Sequence, residues 1–260
     1  MTAHLNTLWF GGKLGYLEQL SIQSALHAGH QLTIWSYASD TLDNVPAGVP
    51  VRDAREVLSD PRRTRLFDGK FKALGSDFFR YEIFQHRLGY WMDLDVIVLK
   101  PFEFTTPHVF GWESATSING AVLQIPHDSP VLQELRSIPE RNWRPPFFGP
   151  RRTLLYYRQR LRGDVELEDL PWGVAGPAMI THLARKHRLL DQVQPLKTFY
   201  PLPYHDAEKL FDDASVVEGL LSEETFAIHM WNSRIHKFAG SPPPVGSYIA
   251  EACKRFGVKV

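Results

Sequence analysis

Cysteine is almost missing from this chain: there is one, Cys253, in 260 residues. That excludes an internal disulfide framework and fits a reducing compartment. Net charge is missing too, because 29 Lys and Arg balance 29 Asp and Glu. Nothing global therefore draws the chain to nucleic acid, and any anion site has to be local. No apolar run approaches the length of about 20 residues that spans a bilayer. Met1 to Phe10 lacks the basic start and apolar run of a signal peptide. A cytoplasmic location is expected, with peripheral contact at the inner membrane face left open. The chain has no internal repeat, no low-complexity segment beyond Pro242-Pro243-Pro244, and no Gly-x-Gly-x-x-Gly fingerprint of a dinucleotide fold. What remains is ordinary: 43% hydrophobic and 22% charged residues, enough for a sizeable core in one domain over 1–260.

Against that background one stretch stands out, Tyr90-Trp91-Met92-Asp93-Leu94-Asp95-Val96-Ile97-Val98-Leu99, stopped by Lys100-Pro101. Its β-branched, aromatic and aliphatic residues predict a buried strand. Asp93 and Asp95 interrupt it at i and i+2, so in a strand both carboxylates face one side. Two like charges on one buried face are costly unless a cation lies between them, and oxygen ligands suit Mg²⁺ or Mn²⁺. The alternative is a strand end that has reached solvent.

Taken in order, Leu5 to Phe10 reads as a strand, Tyr16 to Ala28 as a helix stopped by Gly29, and Gln31 to Tyr37 as a second strand. This βαβ opening predicts a parallel sheet with ligands beyond the carboxyl ends of its strands. Trp9, Phe10 and Gly11-Gly12 then lie at a pocket mouth, although a lone Trp there is more often core than a base-stacking platform. Pro50 to Asp53 is a third short strand. The basic stretch Arg62, Arg63, Arg65, Lys70 and Lys72 reads as a solvated loop, or as a phosphate-facing one. Ser76 to Leu88 is a helix with Ser76 as its N-cap and Asp77 near the positive end of the dipole. Asp77 and Arg80 share a stripe with Phe84 and Leu88, either as a routine i,i+3 ion pair or as polar groups aimed at the end of the sheet that holds the aspartates.

Further strands are expected at His108 to Trp112, at Ile118 to Ile125 and at Phe226 to Trp231, with a helix from Ser129-Pro130 to Ile138. Residues 139–171, rich in Arg, Pro and aromatics at first, read as an excursion from the sheet carrying a helix to Leu161. Such a segment can lie on a membrane, grip an acceptor, or simply connect. Trp172 to Pro177 is a tight loop, with Pro177 opening a helix to Lys186 whose free N–H groups suit an anion. His229 alone in a strand reads as core. The tail ends in a helix near Tyr248 to Phe256.

Taken together, Ser76-Asp77-Phe78-Phe79-Arg80-Tyr81 and Leu88-Gly89-Tyr90-Trp91-Met92-Asp93-Leu94-Asp95 resemble the Asp-X-Asp sugar-transferase family. That family includes yeast initiating mannosyltransferases, animal N-acetylglucosaminyl- and galactosyltransferases, and bacterial capsule and lipopolysaccharide transferases, and the glucosylating domains of clostridial toxins are similar. Trp9, Asn119-Gly120, Gly176-Pro177 and His229-Met230-Trp231 extend the likeness more weakly. The resemblance implies an α/β GT-A fold with a mostly parallel central sheet flanked by helices. It implies that Asp93 and Asp95, with His229 as a third ligand, hold Mn²⁺ or Mg²⁺. It assigns Asp77 and Arg80 to the donor sugar, and Trp9, Phe10, Gly11, Tyr81, Trp91, Asn119, Gly176, Trp231 and Asn232 to the donor site at large. The implied partners are a nucleotide sugar, UDP favoured over GDP, and a glycan or lipid-linked acceptor. Two positions depart from the family pattern: Leu88 replaces a glycine, and Trp91 stands where tyrosine is common. Both bear on the fit of the sugar and leave the metal ligands intact.

The expected activity is thus metal-dependent transfer of a hexose or N-acetylhexosamine, with retention at the anomeric carbon. The alternatives are a sugar nucleotidyltransferase, which wants a richer glycine loop than Gly11-Gly12-Lys13, and an aspartate-nucleophile phosphatase, whose acids run into Gly-Thr and not Val96-Ile97. A non-catalytic sugar- or nucleotide-binding protein on the same fold is the rival from another class.

Overall fold

The structure, a computed structural model, describes residues 2–260. Eight strands form two sheets: β1 His4–Leu8, β2 Gln31–Ser36, β3 Val51–Asp53, β4 Tyr90–Met92, β5 Val96–Val98, β6 Val109–Trp112, β7 Ile118–Gln124 and β8 Ala227–His229. The larger sheet has the order β3-β2-β1-β4-β7-β6, and β5 pairs with β8 in a sheet of two. The pairings from β3 through β2 and β1 to β4 are parallel, whereas β7 and β6 add antiparallel. The mostly parallel α/β architecture expected from the sequence is present. β1 lies between β2 and β4, so the chain winds away from it in both directions, and ligand crevices in such sheets open at this point beyond the strand ends.

Six helices matter here: α1 Tyr16–His27, α2 Pro61–Thr64, α3 Lys72–Gln85, α4 Pro130–Arg136, α5 Pro150–Arg160 and α6 Pro177–Lys186. α1 backs one core with β5, β8 and the C-terminal helix Tyr248–Arg255. α3, α4 and α6 back a second core on the opposite face. Asn6 ties the centre together: its amide donates to the carbonyls of Leu88 (2.9 Å) and Tyr90 (3.2 Å) and its oxygen accepts from Trp35 Nε1 (2.9 Å). The turn from α3 into β4 runs through Gly89 at φ +110, where a Cβ would fall 2.3 Å from the His4 carbonyl oxygen. Only glycine lets the backbone pass there.

Three expectations need correction. The stretch Tyr90 to Leu99 is not one strand. Asp93 makes the last ladder bond, its N–H to the Ala121 carbonyl at 2.7 Å, and Leu94-Asp95 then turn the chain into the other sheet. Asp is a poor strand residue, and a buried ladder offers its carboxylate no solvation. The departing β5 is held on one edge by β8 and on the other by α1, whose Ser21 hydroxyl donates to Val96 O (2.7 Å) and whose Ser24 hydroxyl accepts from Val98 N (2.9 Å). Next, α3 begins at Lys72, so Ser76 lies inside the helix and caps nothing. Leu74 packs against the second core and Gly75 lies against Phe67, and that packing extends the helix past the better cap. Finally, the basic stretch is not all solvated: Arg63 is buried, 3.7 Å above Phe78, 3.3 Å from Glu140 and bonded to the Ile138 carbonyl.

Candidate active site

The turn between β4 and β5 brings Asp93 and Asp95 to the carboxyl edge of the main sheet. Asp93 Oδ1 accepts from Trp91 Nε1 at 2.6 Å and from Arg80 Nη2 at 3.3 Å. Asp95 Oδ1 faces His229 Nε2 at 3.2 Å, and its Oδ2 accepts from the Asn232 N–H at 2.8 Å. Each of Asp93, Asp95 and His229 offers one donor atom, all within 4.8 Å of one another. Burial alone would raise the Asp95 carboxyl, but the charge and hydrogen bond of His229, together with backbone N–H groups including that of Asn232, hold it below the usual range. The same pairing holds the His229 imidazole above its usual value against burial. His229 Nδ1 is buried with no hydrogen-bond partner. Two carboxylates and an imidazole with an unpartnered nitrogen fit Mn²⁺ or Mg²⁺ by donor chemistry, provided that the imidazole is neutral at its coordinating atom.

Arg80 joins this cluster to α3. Its Nη1 donates to the Gly120 carbonyl (2.8 Å), its Nη2 lies 3.7 Å from Asp77 Oδ1, and its guanidinium rests 5.0 Å above Trp91. Both members of the Asp77–Arg80 pair are buried, so this is no routine surface pair. Burial lifts the Asp77 carboxyl from 3.8 to about 6, with Arg80 opposing and Asp93 reinforcing the rise. Asp77 therefore changes charge close to neutral pH, and it can accept from or donate to a hydroxyl. Gly176, at the start of α6, closes over it: a Cβ there would fall 2.5 Å from both carboxylate oxygens.

The remaining candidate residues fall into three sets. Trp231, Asn232 and Asn119 surround the acidic cluster. The Trp231 backbone is left-handed at φ 59, its ring centroid is 4.1 Å from that of His229, and its Nε1 donates to Leu202 O at 2.8 Å. Asn119 donates to Glu113 (2.6 Å) and accepts from the Ala121 N–H (2.7 Å). Trp9, Phe10 and Gly11 lie past β1. Trp9 Nε1 is buried without a partner, Gly11 is packed against that indole, and Phe10 lines a cavity of about 390 Å³ with Tyr37, Phe67, Arg55, Asp68 and Lys72. Tyr81 and Trp91 are fully buried, and each acts through one bond: Tyr81 OH to the Ala175 carbonyl at 2.7 Å, and Trp91 to Asp93.

Three residues near these sets carry no sequence signal that sets them apart. Glu113 holds Asn119. Tyr200, fully buried, approaches Asn119 Oδ1 at 3.4 Å and packs edge-on to His229. Tyr37 lines the cavity by Phe10. Lys72 was visible as one cation in a basic stretch, but nothing in the sequence separated it from its neighbours.

Comparison with known proteins bears on the same site. The family described as the alpha 1,4-glycosyltransferase conserved region matches residues 168–256, which contain Gly176, His229, Trp231 and Asn232. The lactosylceramide 4-alpha-galactosyltransferase of Pongo pygmaeus is 27% identical over 158 residues, covering 56% of this chain and 61% of that protein. Over these stretches the chain is similar to glycosyltransferases. The Rattus norvegicus lactosylceramide 4-alpha-galactosyltransferase is 26% identical over 158 residues, 56% of this chain and 37% of its own length. The chain thus spans less than two thirds of either relative. Among solved structures, the PaToxG glycosyltransferase aligns over 98% of this chain and 85% of its own, with a TM-score of 0.48 and 14% identity. The sequence matches bear on likeness to glycosyltransferases at large and not on the narrower likeness to bacterial capsule and lipopolysaccharide enzymes.

Proposed function

We propose that this chain is a metal-dependent glycosyltransferase that moves a hexose or N-acetylhexosamine from a nucleotide sugar, UDP favoured over GDP, to a glycan or lipid-linked acceptor with retention. The observation that carries the reading is the convergence of Asp93, Asp95 and His229 beside the buried Asp77–Arg80 pair. Asp93, Asp95 and His229 would hold Mn²⁺ or Mg²⁺, which when bound neutralises charge developing on a departing diphosphate. Arg80, fixed by Gly120 and Asp93, presents a preorganised cation at the same place. Asp77 holds a donor-sugar hydroxyl, and the absence of a side chain at Gly176 keeps both of its carboxylate oxygens clear on that side. The cavity by Phe10 and Tyr37 offers aromatic faces to a base and Lys72 and Arg55 to phosphates. No carboxylate of the cluster is free of protein partners, which favours front-face attack with the leaving phosphate taking the acceptor proton. Residues 139–171 are the acceptor-side segment in this reading.

A panel of UDP- and GDP-sugars, read by slow hydrolysis with and without Mn²⁺, tests the proposal. Metal-dependent hydrolysis of a UDP-sugar is expected. Metal-dependent binding without hydrolysis of any donor would favour the non-catalytic rival, and no nucleotide binding at all would remove the reading.

A further inference from the structure

The donor site leaves one surface unexplained. Between residues 141 and 162 the chain has seven arginines, no lysine and no acidic residue, while its other 22 basic residues face all 29 acidic ones. α5 runs through this segment, and only its Tyr156 is buried. On its outer side Leu154 is 61% exposed, Tyr157 54% and Leu161 88%. Their spacing puts them on one helical stripe, with Arg151 and Arg158 alongside. A cavity of about 460 Å³ adjoins that stripe, lined by Asn142, Arg144, Tyr156, Tyr157, Arg160 and Leu161. Arg160 donates to Asp164 at 3.2 Å and Arg141 lies 3.7 Å from both Asp164 and Glu166, so those two charges are partly balanced. Among the described residues, Arg144, Arg151 and Arg158 have no carboxylate within salt-bridge distance.

We propose that α5 docks this chain on an anionic lipid bilayer. Leu154, Tyr157 and Leu161 enter the interface, and Arg144, Arg151 and Arg158 meet headgroup phosphates. An apolar stripe flanked by arginines is the pattern of a helix that lies in the plane of a membrane surface. Guanidinium groups match phosphate oxygens with two parallel bonds, which ammonium groups cannot do, and every cation in the segment is arginine. Charge also decides against a second copy of the chain. A two-fold interface sets a patch against itself, and here it would oppose two arginine clusters.

The test is co-sedimentation with vesicles, which requires no donor and is independent of the transferase reading. Vesicles of phosphatidylcholine mixed with phosphatidylglycerol should carry the chain down, vesicles of phosphatidylcholine alone should not, and added salt should release it. R151Q/R158Q should weaken the binding roughly thirtyfold, the loss of two charges at the surface. L154S/L161S should weaken it as well, with the melting temperature of both variants unchanged. No binding to the anionic vesicles, or equal binding by R151Q/R158Q, would overturn the proposal. Lipid-free dimers that disappear in L154S/L161S would overturn it in favour of self-association. Binding only to an acidic protein probe would overturn it in favour of a protein partner.

Discussion

A carboxyl that titrates near neutrality inside a buried pair has a measurable cost. Asp77 holds its proton up to about pH 6 in the folded chain, against an ordinary value of 3.8. Its stabilising contribution is therefore complete below about pH 4 and is lost as pH rises through about 6, a change of about 3 kcal/mol. Asp77→Asn should remove that step. Its melting temperature should fall less than that of the wild type between these pH values, while donor turnover is lost at every pH. Parallel melting curves for the two proteins would show that burial of Asp77 carries no such penalty. Trp91 works on a neighbouring carboxylate through one short bond, 2.6 Å from indole Nε1 to Asp93. Trp91→Phe keeps a ring under Arg80 and deletes that donor. Hydrogen bonds to charged groups contribute about 1.5–3 kcal/mol, so the variant should melt lower and also bind Mn²⁺ more weakly, because Asp93 is less firmly placed. A variant that melts lower with unchanged Mn²⁺ affinity would reduce Trp91 to a core residue.

Two helices that start alike separate close approach from mere capping. α5 and α6 both open with Gly-Pro, Gly149-Pro150 and Gly176-Pro177, and neither glycine has a positive φ. A Cβ on Gly149 would meet nothing within 4 Å, while on Gly176 it would strike the Asp77 carboxylate. Gly149→Ala should thus change stability by no more than about 0.5 kcal/mol. Gly176→Ala should cost about 1–3 kcal/mol, since something must shift, and should lower kcat/KM more than Asp77 solvation alone explains. Equal behaviour of the two variants in melting and turnover would remove Gly176 from the site. The sequence made these two starts visible, because proline after glycine is a local signal, but nothing in it showed which glycine lay under a carboxylate. The same divide runs through the other elements. β1, β2, α1 and β7 were legible from hydrophobic period and turn residues. The break at Asp93 to Asp95 was not, because Val96-Ile97-Val98 continues the apolar pattern and only pairing with β8, more than a hundred residues later, shows that the strand has changed sheets. Ser76 misled as a cap because the packing of Phe71 and Leu74 on the second core outweighed it. His229 read alone was a core residue. Its place beside Asp95 came from the family likeness and not from its own surroundings.

At the scale of the molecule, the cluster of Asp93, Asp95 and His229 forms only where the two sheets meet. Asp95 is the joint: its carbonyl accepts from the Met230 N–H at 2.7 Å, and its carboxylate takes His229 and the Asn232 N–H. Anything bound there engages both sheets, so it should stabilise the whole fold, by about 2.7 kcal/mol at a hundredfold excess over Kd. Read as two repelling carboxylates on one strand, the pair would gain from neutralising Asp95, and the apo protein would lose nothing. The observed contacts reverse that expectation. Asp93 already has Arg80 and Trp91, and Asp95 already has His229, so Asp95→Asn breaks a largely buried pair and relieves no repulsion. Its amide oxygen can serve the Asn232 N–H or His229, while its NH₂ cannot accept at all. The apo variant should therefore be less stable, by up to about 3 kcal/mol, and should lose the rise in melting temperature that Mn²⁺ with UDP gives the wild type. Ile249→Val, in the C-terminal helix and fully buried, supplies the control. It should destabilise by about 0.5–1.5 kcal/mol and keep the full ligand-induced rise. If Asp95→Asn retained that rise as fully as Ile249→Val does, the ligand would bind the fold without using the joint, and the cluster of Asp93, Asp95 and His229 would be structural.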